Sequence, residues 1–513
     1  MKPTVGDIFV VYTPRLAAYT AVQVTALKQE GKDELACVLS LDWVGPELPD
    51  AAAVAAMKPI VVNFFFWKEH HVHVWAPIDV PHGFVHVGNR PPLLTEKSVS
   101  YSHWPTGRHI FSQHRWETIP QATRDLFKQT IAKEDRSELV TLGGLELRRT
   151  TQRLDTDRLR AVSDLAVFEA LPILTSVNAD APVTGLFDFI RRRPFVYESQ
   201  VTNHGQRVVD VRGARLSRFV LDVTGVQEVY LNDELETLSL LGEASPGLRI
   251  HAEADGRWLH LHTKDTSWVW SGLDALDELH VHSFRELDAG SIVRRFPKLT
   301  ELRATGAPGN LRDTAELGAL TGLRVLMFNE VFGMSPEEFP GPEHFPDLGR
   351  LWLTSLPADV AASVKKAYKA AAQRGVDVSV RQPRKPEWLA ENLDNPFRHW
   401  DGEDNIPPAK AKKAAALYRQ ARSAALAATP QHGGSPSALV SALTPIVKDY
   451  TEGFNKLDAR HAFIFTVERE HIHDALMGIL DAVDGKLRAA GDASVVPLDR
   501  DALVAVMDSV RDF

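Results

Sequence analysis

Histidines carry the first hint of chemistry in this chain. The stretch "FFFWKEHHVHVW" (64–75) sets His71 and His73 two apart among aromatic residues. On a β-strand, side chains two apart point to the same face. An H-x-H pair there offers two imidazoles to one zinc ion. Zinc needs a third protein ligand and an ordered surround, and Glu69, His82 and His86 are the local candidates. No established metal spacing is matched. The expectation is therefore no metal, with a turn at Lys68–His70, and with His71, His73 and Trp75 on one surface of a strand whose Val72 and Val74 face the other way. A metal-dependent hydrolase or metal-binding regulator built on His71 and His73 is the alternative.

A second set of histidines is more regular. In "WLHLHT" (258–263) Leu259 and Leu261 are expected to face a core, which turns His260 and His262 outward. In "ELHVHS" (278–283) the same reasoning turns His280 and His282 outward. If the two strands are neighbours, the four imidazoles form one patch. Arg249 and His251 extend it on one side, and Arg303, Met327, Arg350 and Trp352 on the other. Such a face suits a protein partner, because tryptophan, methionine and arginine are enriched at interface centres. Trp67 is a further candidate contact. Exposed histidines titrate at about pH 6–7, so partner affinity is expected to change between about pH 5.5 and 7.5.

Other chemistries find no carrier. G-x-S-x-G, H-E-x-x-H and G-x-x-x-x-G-K-[ST] are absent. In "EREHIHDAL" (468–476) His471 and His473 are two apart on an expected helix, so they diverge. The lone cysteine, Cys37, excludes intramolecular disulfides and thiolate clusters and reads as a buried thiol in a strand. Net charge is -9 over 513 residues, with no basic concentration, which argues against nucleic acid. No apolar run reaches the ~20 residues a membrane helix needs, and no secretory signal is recognised near the start. The expected location is the cytoplasm, and no cofactor is expected.

The elements that must position these residues can be read from periodicity. Hydrophobic residues make up 44% and charged residues 24%, ordinary for a globular protein. The length suggests roughly three or four domains. Residues 1–95 hold six short runs rich in valine, isoleucine and aromatics, a small β-barrel or sandwich. Residues 96–205 read as a mixed α/β connector. Between 206 and 384 an L-x-x-L-x-L pattern recurs from Leu276, Leu299, Leu323 and Leu348, at offsets of 23, 24 and 25 residues. Upstream of 270 the strands come about every ten residues, as short β–turn–β coils. Residues 385–513 read as an α-helical domain broken near "HGGSP" (432–436). The expected class is multidomain α+β: N-terminal β-domain, central leucine-rich-repeat-like solenoid, C-terminal helical bundle.

Two resemblances follow from these residues. The units over 276–353 resemble bacterial leucine-rich-repeat proteins, although Asn329 is the one candidate for the asparagine that usually follows the strand. The stretches "VGDIFVVY", "VLSLDWVG", "KPIVVNFFFW" and "HVWAPIDVPHGFVHVGN" are similar to a bacterial toxin-immunity family of small β-rich domains. That resemblance implies a cytoplasmic protein that binds and blocks another protein, a toxin or another defence or conflict protein, and it transfers no catalytic residue. The expected function is therefore non-enzymatic occlusion of a partner protein. A structural scaffold subunit is a further alternative.

Overall fold

The computed structural model describes residues 2–96, 98–133, 136–432, 436–459, 462–489 and 498–513. Its chain forms two compact units. The first comprises Met1–His282, Gly290–Arg303 and Ala319–Val325; the second comprises Ser283–Ala289, Ala304–Gly318 and Leu326–Phe513.

The first unit opens with β1 (Asp7–Thr13), β2 (Ala18–Glu30), β3 (Asp33–Gly45), α1 (Ala51–Ala56), β4 (Val61–Val62), β5 (His70–His71), β6 (His73–Pro77) and β7 (Phe84–Asn89). Five of these strands make an antiparallel sheet in the order β6-β3-β2-β1-β7. Runs such as "IFVV" lack polar alternation because both faces of this sheet are covered. Ile8, Val10 and Leu39 pack with Val54 of α1 and with Met57. Phe9, Val22 and Val38 pack with Trp104 on the other side. The expected hairpin at 64–75 takes a different form. β4 pairs with β5, Val61 opposite His71, so residues 63–69 are the connecting loop and His73 begins a separate strand.

The connector holds α2 (Arg108–Glu117), α3 (Gln121–Ala132), the hairpin β8 (Leu139–Leu142) and β9 (Leu145–Arg148), β10 (Arg153–Leu154), α4 (Thr156–Arg160), β11 (Ser176–Ala179), α5 (Leu186–Arg192) and β12 (Glu198–Val201). The helical spacing over 156–171 does not yield one helix. Asp164 accepts from Ala166 N at 2.9 Å and restarts the chain as a 3-10 turn, a local bond that competes with helix continuation.

From there β13 (Val208–Asp210), β14 (Arg218–Asp222), β15 (Glu228–Tyr230), β16 (Thr237–Leu241), β17 (Arg249–His251) and β18 (His260–Thr263) alternate between two parallel sheets. The smaller is β13-β15-β17. In the larger, this unit's strands run β10-β11-β12-β14-β16-β18, then β19 (Glu278–Asp288), α6 (Ala289–Arg295) intervening in sequence, then β20 (Glu301–Arg312). Val209, Val229 and Ile250 of the small sheet are buried, as are Phe219, Leu221, Leu238, Leu261, Leu279 and Val281 of the large one.

In the second unit the later parts of β19 and β20 continue the parallel order through β21 (Val325–Phe332), β22 (Arg350–Thr354) and, after α7 (Ala358–Ala367) and α8 (Lys369–Gln373), β23 (Asp377–Arg381). After α9 (Pro386–Asn392) come the helices α10 (Pro408–His432), α11 (Pro436–Asp458), α12 (Thr466–Ala489) and α13 (Arg500–Val510). They share one core around Phe397, Trp400, Tyr450, Phe454 and Ile472. Gly433–Ser435 of the expected break lie outside the described residues.

Beside that core, partly buried, lies a histidine pair. His399 Nε2 lies 3.0 Å from His471 Nδ1, and Trp400 Nε1 donates to the same atom at 3.2 Å. His473 points elsewhere, 3.6 Å from Asp474. Burial, and then the neighbouring His471, push the His399 imidazole down to about 4. The folded state thus favours neutral His399, and protons bind more strongly to the unfolded chain. Stability is unaffected above about pH 6.5 and falls as pH drops toward 4, by about 3 kcal/mol in full. Urea unfolding at pH 7 and pH 5 should show His399→Gln losing less stability over that interval than the wild type, by roughly 2 kcal/mol. Equal losses in both proteins would remove His399 from the acid sensitivity.

Candidate functional site

The large parallel sheet of the first unit brings the second histidine set together. β18 and β19 pair with Leu261 opposite Leu279, which sets His260 beside Glu278 and His262 beside His280. The inward leucines fix this register, since a slip by one residue would expose them. The His262 and His280 rings lie 4.3 Å apart, and those of His262 and His282 stack at 5.3 Å. His282 Nε2 is 3.2 Å from His262 Nδ1. One nitrogen each from His262, His280 and His282 falls within 4.8 Å of the others. Glu278, His280 and Glu301 satisfy the same condition, so His280 belongs to both groups.

These side chains face away from the leucine core, yet they bury one another. His280 is only 8% exposed. Its Nε2 is 3.5 Å from Glu301 Oε1, too long for a good hydrogen bond, and has no hydrogen-bond partner among the described residues. Arg303 pairs with Glu301. Burial opposes charge on Glu301, but His280 and Arg303 outweigh it and hold the carboxyl below its usual range. Glu278 goes the other way. Burial first, then Glu301 and Asp277, push it up to about 8. Burial also pushes His260 and His262 down to about 4, and lowers His282. His260 Nε2 lies 3.1 Å from Glu278 Oε1, and burial favours the neutral form of both groups, although they are of opposite ionic type. The expectation that the patch titrates near pH 6–7 fails for His260 and His262, because desolvation disfavours their charged form.

The N-terminal histidines do not form a site with each other. His71 Nδ1 binds Ile60 O at 2.9 Å. His73 is 8% exposed and Trp75 6%, so neither contributes to a surface. His73 Nε2 sits 2.6 Å from Thr25 Oγ1 and 3.0 Å from Cys37 Sγ. Burial raises the Cys37 thiol and lowers the His73 imidazole, which keeps this pair neutral. Among the described residues, no group with metal-binding proximity includes His71 or His73.

In the second unit Met327 is half-buried on β21, and Trp352 on β22 is 38% exposed. Arg350 lies 4.8 Å over the Trp352 ring, and Trp352 Nε1 donates to Asp377 at 2.9 Å. Arg303 belongs to the first unit, beside Glu301.

A cleft of about 410 Å³ in the first unit was not anticipated as a site. The loop between β4 and β5 supplies Phe64, Phe65, Phe66 and Trp67 to its wall. Phe65 adopts a left-handed φ of 46°, unusual for a bulky residue. It packs edge-on against Tyr197 at 4.9 Å and, tilted, against Trp116 at 5.4 Å. Lys128 pins the loop by donating to Phe65 O and Trp67 O at 2.5 and 2.6 Å. Phe66 and Trp67 are left 43% and 46% exposed. Arg108, Arg115, Arg215 and Glu236 also line the cleft. Arg115 pairs with Glu234, and burial pushes its guanidinium down to about 10, so it stays charged at neutral pH. Arg115 Nη2 is buried without a hydrogen-bond partner among the described residues.

The signal for the cleft was present as the run "FFFW", whose four adjacent aromatics exceed what one strand face can bury. The carboxylates of the histidine cluster also had a signal. Glu278 and Glu301 each precede the leucine that starts the alternation, so they share the face of His280 and Arg303. No protein-family model matches the chain, and no curated protein matches it.

Gly107 places Arg108 and Arg115 on α2. It takes φ 80° at the helix start, and a Cβ there would come within 2.3 Å of Thr13 Oγ1 and 2.7 Å of Thr20 Oγ1. Gly107→Ala is expected to lower stability by about 2 kcal/mol or more, from the φ strain and the collision together. Unchanged urea denaturation would show that α2 does not start against β1 and β2.

Proposed function

We propose that this protein works by binding another protein, without covalent chemistry, and that the aromatic cleft is the centre of its interface. The observation that carries this reading is the pairing of exposed Phe66 and Trp67 with the arginines of one open cleft. Aromatic residues and arginine dominate the energetic centres of protein interfaces. Arg108, Arg115 and Arg215 line the cleft and Arg15 lies nearby, against Glu234 and Glu236. That local excess of positive charge favours an acidic segment of the partner, with an apolar or aromatic side chain seated among the phenylalanines.

On this reading the parallel strands after Val208 form a leucine-rich-repeat-like solenoid that holds the cleft rigid, and the N-terminal sheet is an immunity-like domain. The partner would be a toxin or similar protein, blocked by occlusion in the cytoplasm. The inward leucines at repeat spacing and the two parallel sheets support the solenoid part. No helix among the described residues is long and apolar enough to cross a membrane, which accords with the proposed location.

The test starts with capture from the native cell by the full chain, identification by mass spectrometry, and titration of the purified partner. Trp67→Ala should weaken binding by about 2 kcal/mol, some thirtyfold in Kd. A partner whose affinity ignores Trp67→Ala and Phe66→Ala but collapses on Trp352→Ala would contradict the assignment of the cleft.

A further inference from the structure

We propose that His262, His280 and His282 form a binding site for a divalent late first-row transition-metal ion. This goes beyond partner binding and does not depend on it. Three imidazoles from two neighbouring strands converge, with their nitrogens within 4.8 Å of one another. The separation of His282 Nε2 from His262 Nδ1, 3.2 Å, is close to the edge of a tetrahedron with Zn–N bonds of ~2.0–2.1 Å, which is about 3.3 Å. The third nitrogen need then close by at most about 1.5 Å.

A second observation concerns the shared ring. His280 is more than nine-tenths buried, and its Nε2 makes no good hydrogen bond, its nearest partner being Glu301 Oε1 at 3.5 Å. Buried polar atoms are rarely left so, and a metal on the ring's other nitrogen would turn Nε2–H toward that carboxylate. Either orientation of the ring serves the site. With one nitrogen on the metal, the other faces Glu301, giving the carboxylate–histidine–metal arrangement that orients ligating imidazoles. Arg303 in turn fixes Glu301. A metal takes the neutral imidazole, so binding displaces any proton the rings carry and weakens as pH falls.

The donor set selects the class of ion. Nitrogen-only ligands suit zinc, copper and nickel better than magnesium or calcium, which prefer oxygen. Three protein ligands leave a fourth position open, as in zinc sites that keep a bound water or accept an outside ligand. His71, His73 and Cys37 play no part.

The experiment uses the full chain without a polyhistidine tag, stripped with chelator and titrated with Zn²⁺ against a chromophoric competitor, and with Co²⁺ followed by its visible absorption. One Zn²⁺ per chain, a tetrahedral Co²⁺ spectrum and a zinc-dependent rise in Tm are expected. His282→Ala, at a half-exposed position, should cost more than the about 10–100-fold that Glu301→Gln is expected to cost as an outer-shell change. His71→Ala should leave the affinity unchanged. Circular dichroism of each variant confirms folding. Weak binding of several ions that folded His282→Ala and His262→Ala retain would be adventitious and would overturn the proposal, as would the absence of Zn²⁺ binding to the wild type.

Discussion

The alternation of buried leucines along the parallel strands is the constraint on which the rest of the first unit depends. Leu238, Leu261 and Leu279 occupy one row across β16, β18 and β19 and are inaccessible to solvent. Burying each such side chain contributes about 1.5–3 kcal/mol, and a slip by one residue would expose a whole set at once. The polar residues between them have no freedom of placement. They must fall into rows on the opposite face, Thr237–His260–Glu278 and Ser239–His262–His280. Packing thus assembles the histidine cluster, although no histidine contributes to the leucine core.

Once assembled, the rows change each other's chemistry. A lone histidine on a strand face would be wet and half-charged near neutrality. Side by side, His262 and His280 exclude water from one another, and the charged form loses its hydration. Glu278, Glu301 and Asp277 crowd the same region, so one carboxyl is driven to hold its proton while another keeps its charge against Arg303. The face is therefore less polar in its charge state than in its composition. That shifts its use from pH-dependent ionic recognition toward ligation by neutral donors.

Much of this architecture was legible because burial imposes a period. The runs at 7–13 and 34–44 and the leucines from 259 to 353 announce strands and their inward faces, and the adjacency of β18 and β19 follows from consecutive strands feeding one sheet. What failed was anything set by tertiary contact. The polar partners of His280 required knowing that β20 lies next in order. His73 and Trp75 read as surface because alternation says which side chains share a face, and is silent on whether that face is covered. Trp75 is in fact covered, its Nε1 donating to Ser98 O at 2.8 Å, and Lys28 lies 4.4 Å over its ring. The "FFFW" run has a strand-like composition, but its backbone leaves the β region at Phe65 and is held there by Lys128, 63 residues away. No local pattern encodes that contact.

The two histidine environments of the first unit also show that proximity does not by itself confer reactivity. Cys37 and His73 are close enough for a nucleophile and its base. Yet a reactive thiol needs an environment that favours thiolate, and here burial disfavours both the thiolate and the imidazolium. The pair is a hydrogen-bonded filling of the sheet interior, completed by Thr25. The cluster on β18 and β19 is desolvated by the same physics, which holds His260, His262 and His282 neutral. For a metal ligand, unlike a proton-sharing dyad, the neutral ring is the working state. His262 and His282 remain partly open, while His280 is fixed beneath them. Burial that silences a cysteine–histidine pair thus prepares a three-histidine set for ligation, and the difference lies in donor number and access.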